Sequence, residues 1–259
     1  MLGDQHPDTL DGIVNLAAVY RNEGKYAQAE QMLTQAVESQ RRVLGPEHWS
    51  TLNGMRNLAG LYRDEGRYEV SERLAAKALE AATRLMGAGH HLTLLIMEEL
   101  ALVSRSEGKY AQAEMLYTKL LNLEERALGR EHPKRVASMN DLAFLYLSQR
   151  EYAKAERLAL TALDAYKDAT TDTWHRYESE AILGASLAGQ NKYAEAEPVL
   201  LSGYAGMARC QANIPAGNLF KLKSAGTWIV RLYADSHRKG NVEEWREKLH
   251  IANSAPGAQ

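Results

Sequence analysis

Four histidines recur along the chain and are the first residues whose type and spacing could do chemistry. Each lies 42 residues after the one before, at His6, His48, His90 and His132. A zinc ion needs its ligands within about 2.0–2.3 Å of a single point, whereas residues one structural repeat apart form a row. No second pair of histidines or cysteines lies at ligand spacing beside His90 and His91. We therefore expect no metal site, and we interpret the four histidines as helix caps and fillers of the joints between repeats.

The other candidates for catalysis lack the arrangements that catalysis needs. Cys210 would need a positioned base to act as a nucleophile, and the histidines that flank it, His175 and His237, lie in no recognisable signature. Glu98 and Glu99 are adjacent, so they point to different faces of a helix. The glycines fall singly, so no glycine-rich loop could cradle a phosphate. The sequence therefore predicts no enzyme and no cofactor, and Cys210 is expected to be a structural thiol.

Composition and charge narrow the class of partner. The chain has 259 residues and a net charge of −2, with acidic and basic residues interspersed. It therefore lacks the basic surface that indicates binding to nucleic acid or to an anionic membrane. No run approaches the roughly 18 apolar residues of a membrane span, and a single cysteine fits a reducing compartment. We expect a cytoplasmic protein without a nucleic-acid or membrane partner.

The 42-residue interval is shared by four other columns of residues. They are Tyr26, Tyr68, Tyr110 and Tyr152; Leu16, Leu58, Leu100 and Leu142; Ala17, Ala59, Ala101 and Ala143; and Glu30, Glu72, Glu114 and Glu156. A fixed period of roughly 20–50 residues is typical of stacked structural repeats. The apolar residues of 13–20, Leu16 among them, follow the spacing of a helix with one buried stripe. Gly24 suits the left-handed turn after a helix end, and a second apolar stripe follows at 29–37. Each repeat is therefore predicted to be an antiparallel helix pair.

The order Leu-Ala-x-x-Tyr, Gly-Lys-Tyr and Ala-Glu within each unit resembles the tetratricopeptide repeat. That repeat usually has 34 residues, and here a longer second helix and a Leu-Gly-x-x-His-Pro joint extend it. This form is similar to the repeat of kinesin light chains, and the segment GDQHPDTLDGIVNLAAVYRNEGKYAQAEQML, residues 3–33, carries the likeness throughout. The resemblance implies an all-α, right-handed solenoid of about six antiparallel helix pairs that acts as a non-catalytic protein-interaction scaffold.

The predicted domain organisation is a single solenoid over residues 1–253, followed by a flexible tail at 254–259. The expected repeats are 6–47, 48–89, 90–131, 132–172 and 173–210, with a degenerate capping pair at 215–253. In that last pair we expect helices at about 219–237 and 242–252, with the turn around Gly240. The segment that begins at Gly203 resembles the C-terminal end of bacterial tetratricopeptide proteins, including arrays appended to eukaryotic-like serine/threonine kinases.

The resemblance also implies a binding surface, because the first helices of such repeats line the concave side of the solenoid. The groove-facing positions, counted from the leucine of Leu-Ala, are Arg21, Asn22, Arg56, Arg63, Leu95, Glu98, Leu102, Arg105, Asn140, Phe144 and Leu147. Arginines pair carboxylates bidentately, and the leucines and Phe144 supply apolar anchors. Small residues in the fifth repeat, such as Ala185 and Gly189, are expected to leave room. We therefore expect an extended, partly acidic peptide ligand, whereas the chaperone-type carboxylate clamp would want an asparagine in place of Ala18.

Two alternatives remain open. The chain could be the regulatory or targeting C-terminal region of a larger, kinase-like signalling enzyme whose catalytic domain is absent from it. It could also self-associate through an uncapped first repeat. The opening motif LGDQHPDTL bears on both, because Leu2 and Gly3 match Leu44–Gly45, which close a second helix. We accordingly expect the chain to be the C-terminal section of a longer protein, with Met1 an added or internal start.

Overall fold

The computed structural model of the chain describes residue 3, residues 5–167 and residues 173–249, and within these it contains α-helices, two short 3-10 turns and no strand. The helices are α1 Pro7–Asn22, α2 Tyr26–Val43, α3 Trp49–Asp64, α4 Tyr68–Met86, α5 His91–Ser106, α6 Tyr110–Leu128, α7 Pro133–Ser148, α8 Tyr152–Asp164, α9 Trp174–Gly189, α10 Tyr193–Arg209, α11 Leu219–Asp235 and α12 Lys239–Lys248. The expected all-α solenoid is confirmed. The predictions for Met1, for Leu2, for the end of the last helix and for the tail at 254–259 lie outside the described residues.

The helices form two compact units, Met1–Arg130 and Glu131–Gln259, called unit 1 and unit 2 below. Within each unit a helix packs against the next one along the chain, and the first helix of one pair packs against the first helix of the next. Small residues permit the close approach, since Ala17 and Ala29 are both fully buried where α1 meets α2. In the second pair Ser71 replaces that second alanine, and its hydroxyl donates to the carbonyl of Ala59 at 2.6 Å.

The turns between paired helices share one hydrogen bond. The amide of Lys25 donates to the carbonyl of Tyr20 at 2.9 Å, and the amide of Arg238 donates to the carbonyl of Tyr233 at the same distance. This closure requires a left-handed residue just before it. In unit 1 glycine fills that position, at Gly24, Gly66 and Gly108 with φ of 74°, 76° and 82°.

Unit 2 fills the same position with other residues. The residues there are Arg150, Asn191 and His237, with φ of 61°, 64° and 61°. The expected turn around Gly240 is therefore wrong: the left-handed residue is His237, and Gly240 is the second residue of α12. The closing hydrogen bond, rather than the glycine, marks the turn in this half of the chain.

The histidine column caps helices, as the sequence predicts. The Nδ1 atoms of His6, His48, His90 and His132 accept hydrogen bonds from the second amide of the helix that follows, at 3.2, 3.3, 3.2 and 3.1 Å. Each bond satisfies one of the amides that a helix start leaves without a partner. Among the described residues no group of three or more His, Cys, Asp or Glu side chains could hold a metal ion.

The glutamate column forms ion pairs between neighbouring repeats. The cation that follows each turn pairs with the Ala-Glu glutamate of the repeat before: Arg67 with Glu30 at 2.6 Å and Lys109 with Glu72 at 2.7 Å. Unit 2 repeats the arrangement, with Lys192 and Glu156 at 3.5 Å and Arg238 and Glu197 at 2.6 Å. These pairs explain why a lysine or arginine accompanies the turn and a glutamate the second helix.

One residue of the expected core is exposed. Leu16 is 46% exposed, whereas Leu58 and Leu100 of the same column are each 7% exposed. The reason is that α3 and α5 each pack on a preceding helix pair, while no described helix covers this side of α1. Val19, on the same face, is 49% exposed, and its counterpart Leu61 is fully buried.

Candidate functional site

The predicted groove arginines of unit 1 are brought together by ion pairs that link its first helices. Arg21 on α1 contacts Asp64 on α3, with 2.6 Å between Nε and Oδ2. Arg63 contacts Asp64 at 3.0 Å and reaches Glu99 on α5 at 3.1 Å. Arg21, Arg63 and Glu99 therefore lie on one shared face of α1, α3 and α5. The two arginines are neutralised there by carboxylates of the chain itself.

Two details of this cluster follow from its packing. A side chain on Gly60 would begin 2.4 Å from Nη1 of Arg21, so the guanidinium can cross α3 only because this position is glycine. Burial alone would lower the pKa of Arg63. The nearby carboxylates of Glu99 and Asp64 outweigh burial, so the pKa of Arg63 is raised above its ordinary value. The cluster is therefore a stable internal network, and it offers little free charge to a ligand.

Arg56 on α3 differs from the other two arginines. Its Nε and Nη2 atoms donate to Oδ1 of Asn53 at 3.3 and 3.1 Å, and it forms no ion pair with any carboxylate of the described residues. Burial lowers the pKa of Arg56, and the nearby charges of Glu99 and Glu98 only partly oppose this. A guanidinium that is desolvated without a carboxylate partner is an unusual arrangement.

Asn53 and Arg56 together present two hydrogen-bond donors. Because Oδ1 of Asn53 accepts from Arg56, its amide nitrogen points away from that contact. Neither this nitrogen nor Nη1 of Arg56 donates to an acceptor in the described chain. Two such donors side by side match the two oxygens of one carboxylate. We call this pair the Asn53–Arg56 site.

The remaining predicted residues of unit 1 lie on α1 and α5. Leu95 and Leu102 are half-buried on α5 and lie one helical turn to either side of Glu98 and Glu99. Glu98 and Arg105 are half-buried and take part in electrostatic contacts. Asn22 is exposed at the end of α1. The open apolar surface of this face is therefore supplied by the two leucines.

In unit 2 the three predicted groove residues pack against later helices, Asn140 against α9 and the other two beside α11. Asn140 is fully buried, and its amide donates to the carbonyl of His175 at 2.9 Å and to Glu178 at 3.2 Å. The ring of Phe144 lies 5.8 Å from that of Phe220 and 5.5 Å from that of Trp228. Leu147 and Trp228 pack against the same buried cluster and line one small cavity. Asn140 is therefore closed to a ligand, and Phe144 and Leu147 are half-buried beside α11.

A buried lysine holds α11 in this position. The Nζ of Lys221 lies 2.8 Å from Asp141 on α7 and 2.7 Å from Glu178 on α9, and its residue is 5% exposed. Burial lowers the pKa of Lys221, but the two carboxylates reverse this and raise it strongly. Sequence reasoning missed this contact, although Asp141 belongs to a polar column with Asn57 and Glu99 that is buried beside the Leu-Ala stripe.

The expected room beside the small residues of the fifth repeat is filled. Gly189 abuts Tyr152, whose ring would lie 2.4 Å from a Cβ atom at that position. Trp228 of α11 closes the same place, and the remaining cavity measures about 40 Å³, little more than the ~30 Å³ that a water molecule occupies. The expectation of an open surface there is wrong, because α11 lies across it.

Comparisons of the sequence and of the structure with known proteins agree with the stacked helix pairs described above. The sequence profile of the tetratricopeptide repeat matches residues 8–84, 50–106 and 92–168. No curated protein sequence matches the chain significantly. The solved structure of a Podosopora anserina putative kinesin light chain with nearly identical TPR-like repeats is 25% identical, with a TM-score of 0.67. That match covers 80% of this chain and 98% of the other.

Two other solved structures share the fold at lower identity. BtubC (BKLC) from P. vanneervenii is 20% identical with a TM-score of 0.68, and the match covers 79% of this chain and 82% of that one. A Rap protein complexed with competence and sporulation factor is 15% identical with a TM-score of 0.60. That match covers 94% of this chain and 65% of the Rap chain. Within the described residues no helix is both long and apolar enough to cross a membrane.

Proposed function

We propose, from the premise that this chain belongs to the tetratricopeptide repeat family, that it is a non-catalytic scaffold whose unit 1 binds an acidic peptide segment. The fold implies a protein-interaction role, and the Rap structure solved with a bound factor supports a ligand-binding role for helices stacked in this way. The proposal places the ligand on the shared face of α1, α3 and α5.

The observation that carries the proposal is the Asn53–Arg56 site. Arg21 and Arg63 already have carboxylate partners at 2.6–3.1 Å, so they set the geometry of the face rather than bind the ligand. Of Arg21, Arg56 and Arg63, Arg56 is the one that is desolvated and forms no ion pair with a carboxylate of the described residues. One aspartate or glutamate of the ligand would receive hydrogen bonds from Arg56 and Asn53. The half-buried Leu95 and Leu102 would contact an apolar side chain of the same ligand.

Discrimination between an acidic and a neutral ligand tests this site. Two capped peptides, each with a tryptophan beside either glutamate or glutamine, would be titrated by fluorescence polarisation against wild type, Arg56→Gln and Arg73→Gln. A hydrogen bond to a charged group is worth about 1.5–3 kcal/mol, so wild type should prefer the glutamate peptide by about 10- to 100-fold. Arg56→Gln should lose the preference, and Arg73→Gln should keep it, because Arg73 on α4 pairs only with Glu69 at the surface. An equal preference in all three proteins would refute the assignment.

Arg63 is not a suitable test residue, although its position predicts a role in binding. Its guanidinium lies between Asp64 and Glu99, so a substitution there would leave two half-buried or buried carboxylates without their partner. A loss of binding would then report a loss of folding.

Self-association is a second candidate function, and the exposure of α1 favours it. Leu16 and Val19 are each nearly half exposed, while their counterparts in α3 are buried by a neighbouring pair. A second copy could cover this face. Sedimentation velocity over a range of concentrations would show a dimer that Leu16→Lys/Val19→Lys abolishes, and a monomer at every concentration would exclude the idea.

A further inference from the structure

A groove on the second-helix side of unit 1 lies apart from the Asn53–Arg56 site, and neither residue of that site lines it. It runs between α2 and α4, and α3 forms its floor. It comprises two cavities of about 380 Å³ each, which meet at Arg41 and Lys77. None of the residues in either cavity belongs to the predicted concave face.

The floor of both cavities is apolar. Val37, Leu58 and Leu74 line the first cavity, and Leu52, Met55 and Ala81 line the second. Each cavity has more than ten times the volume of about 30 Å³ that a water molecule occupies. Each can therefore receive a leucine or a larger apolar side chain.

The place where the cavities meet is cationic. Arg41 on α2 and Lys77 on α4 line both cavities, and neither belongs to an ion pair of the described residues. The other cations of the rim are paired, Arg73 with Glu69 and Arg84 with Glu47. Glu38 lies in the first cavity and Glu80 in the second, so the acidic groups lie to either side of the two cations.

We propose that this groove binds an extended segment of a partner protein in which two apolar side chains flank one carboxylate. The carboxylate would lie between Arg41 and Lys77, where it would relieve the repulsion of two like charges. Each apolar side chain would fill one cavity. In an extended chain residues i, i+2 and i+4 share a face and span about 13 Å. The lining residues on α4 extend from Val70 to Arg84, which is about 21 Å at the rise of an α-helix.

The charge pattern belongs to this pair of repeats and not to the next. One repeat later, Thr83 stands in place of Arg41 and Met115 in place of Arg73, while Lys119 corresponds to Lys77. If second helices bound acidic segments in general, the groove between α2 and α4 and the corresponding place between α4 and α6 would bind equally well. Lys119 is therefore a matched control for Lys77.

Three capped heptapeptides provide the probe: Ser-Leu-Ser-Glu-Ser-Leu-Ser and the same peptide with glutamine or lysine at its centre. Each would be titrated into ¹⁵N-labelled full chain while amide NMR shifts are followed. We expect saturable shifts at Val70, Leu74 and Lys77 with the glutamate peptide, at least fivefold weaker binding of the glutamine peptide, and none of the lysine peptide. Arg41→Glu and Lys77→Glu should remove binding, and Lys119→Glu should leave it unchanged.

The outcome is independent of the Asn53–Arg56 site, because Arg56→Gln should leave these shifts unchanged. If Arg41→Glu fails to fold, Arg41→Gln takes its place and should weaken binding at least fivefold. The proposal is overturned by an absence of saturable shifts or by equal affinity for the glutamate and lysine peptides. Shifts confined to Asn53 and Arg56 would overturn it as well, since the peptide would then occupy the other face.

Discussion

The buried lysine of unit 2 gives the sharpest prediction about stability. Lys221→Met keeps most of the side-chain volume but removes the ammonium group that Asp141 and Glu178 share at 2.8 and 2.7 Å. Both carboxylates are less than a tenth exposed. Breaking a buried ion pair in this way costs about 3–5 kcal/mol, because a charge is left behind without its partner. We expect the free energy of unfolding to fall by that amount.

Urea denaturation followed by tryptophan fluorescence measures this loss, because Trp174, Trp228 and Trp245 all lie in unit 2. Lys223→Met on the same helix is the control, since Lys223 is exposed, and it should change stability by less than about 0.5 kcal/mol. A loss of less than about 1 kcal/mol in Lys221→Met would show that the lysine does not hold α11 in place.

Three further predictions concern packing, capping and pH. Gly203→Ala should lower the free energy of unfolding by about 1–3 kcal/mol, because the new Cβ would lie 2.4 Å from the backbone nitrogen of Ala181. Gly12→Ala should raise the free energy of unfolding by about 0.5–1 kcal/mol, because its Cβ would meet nothing within 4 Å. Thermal unfolding of both variants checks this difference, and equal effects would contradict it. His90→Ala should lower the free energy of unfolding by about 1 kcal/mol, and His90→Asn should lower it much less. The reason is that asparagine, unlike alanine, keeps an acceptor for the amide of Leu92. Urea unfolding of both variants measures the difference. Hydrogen bonds from Lys109 and Arg238 lower the pKa of Glu72 and Glu197. The stability that these two pairs contribute is therefore present above the ordinary carboxyl pKa of about 4.3 and is lost as pH falls through the lower pKa of the folded state. The double variant Glu72→Gln/Glu197→Gln should show a smaller loss in urea midpoint below about pH 4, and an unchanged pH profile would refute the pairing.

The repeat period made most of the fold predictable. The columns of leucine, alanine and tyrosine recur at 42 residues because each stacked pair must present the same small and large side chains to its neighbours. The histidine caps were predictable for the same reason, as each repeat has one helix start of the same kind. The burial of Leu16 was predicted wrongly, because a recurring leucine indicates which face of a helix is apolar but does not show whether another helix covers that face.

The site was less predictable, because register places a residue on a face but does not show what else reaches it. The positions of Arg21 and Arg63 gave no sign that Asp64 and Glu99 pair with them. Phe144 and Leu147 have an apolar character that suits a ligand or another helix equally well. The period ends before α11, so nothing in the repeat columns indicated that this helix would pack against Phe144.

Mapping an acidic peptide on the folded chain tests the central claim most directly. The tryptophan–glutamate peptide would be added to ¹⁵N-labelled protein, and the perturbed amides would be assigned. The account predicts shifts at Asn53, Arg56, Leu95 and Leu102. It predicts none at Phe144 or Leu147, because these two residues lie in unit 2, beside Trp228 of α11. Shifts centred on Phe144 and Leu147, with Asn53 and Arg56 unaffected, would contradict it.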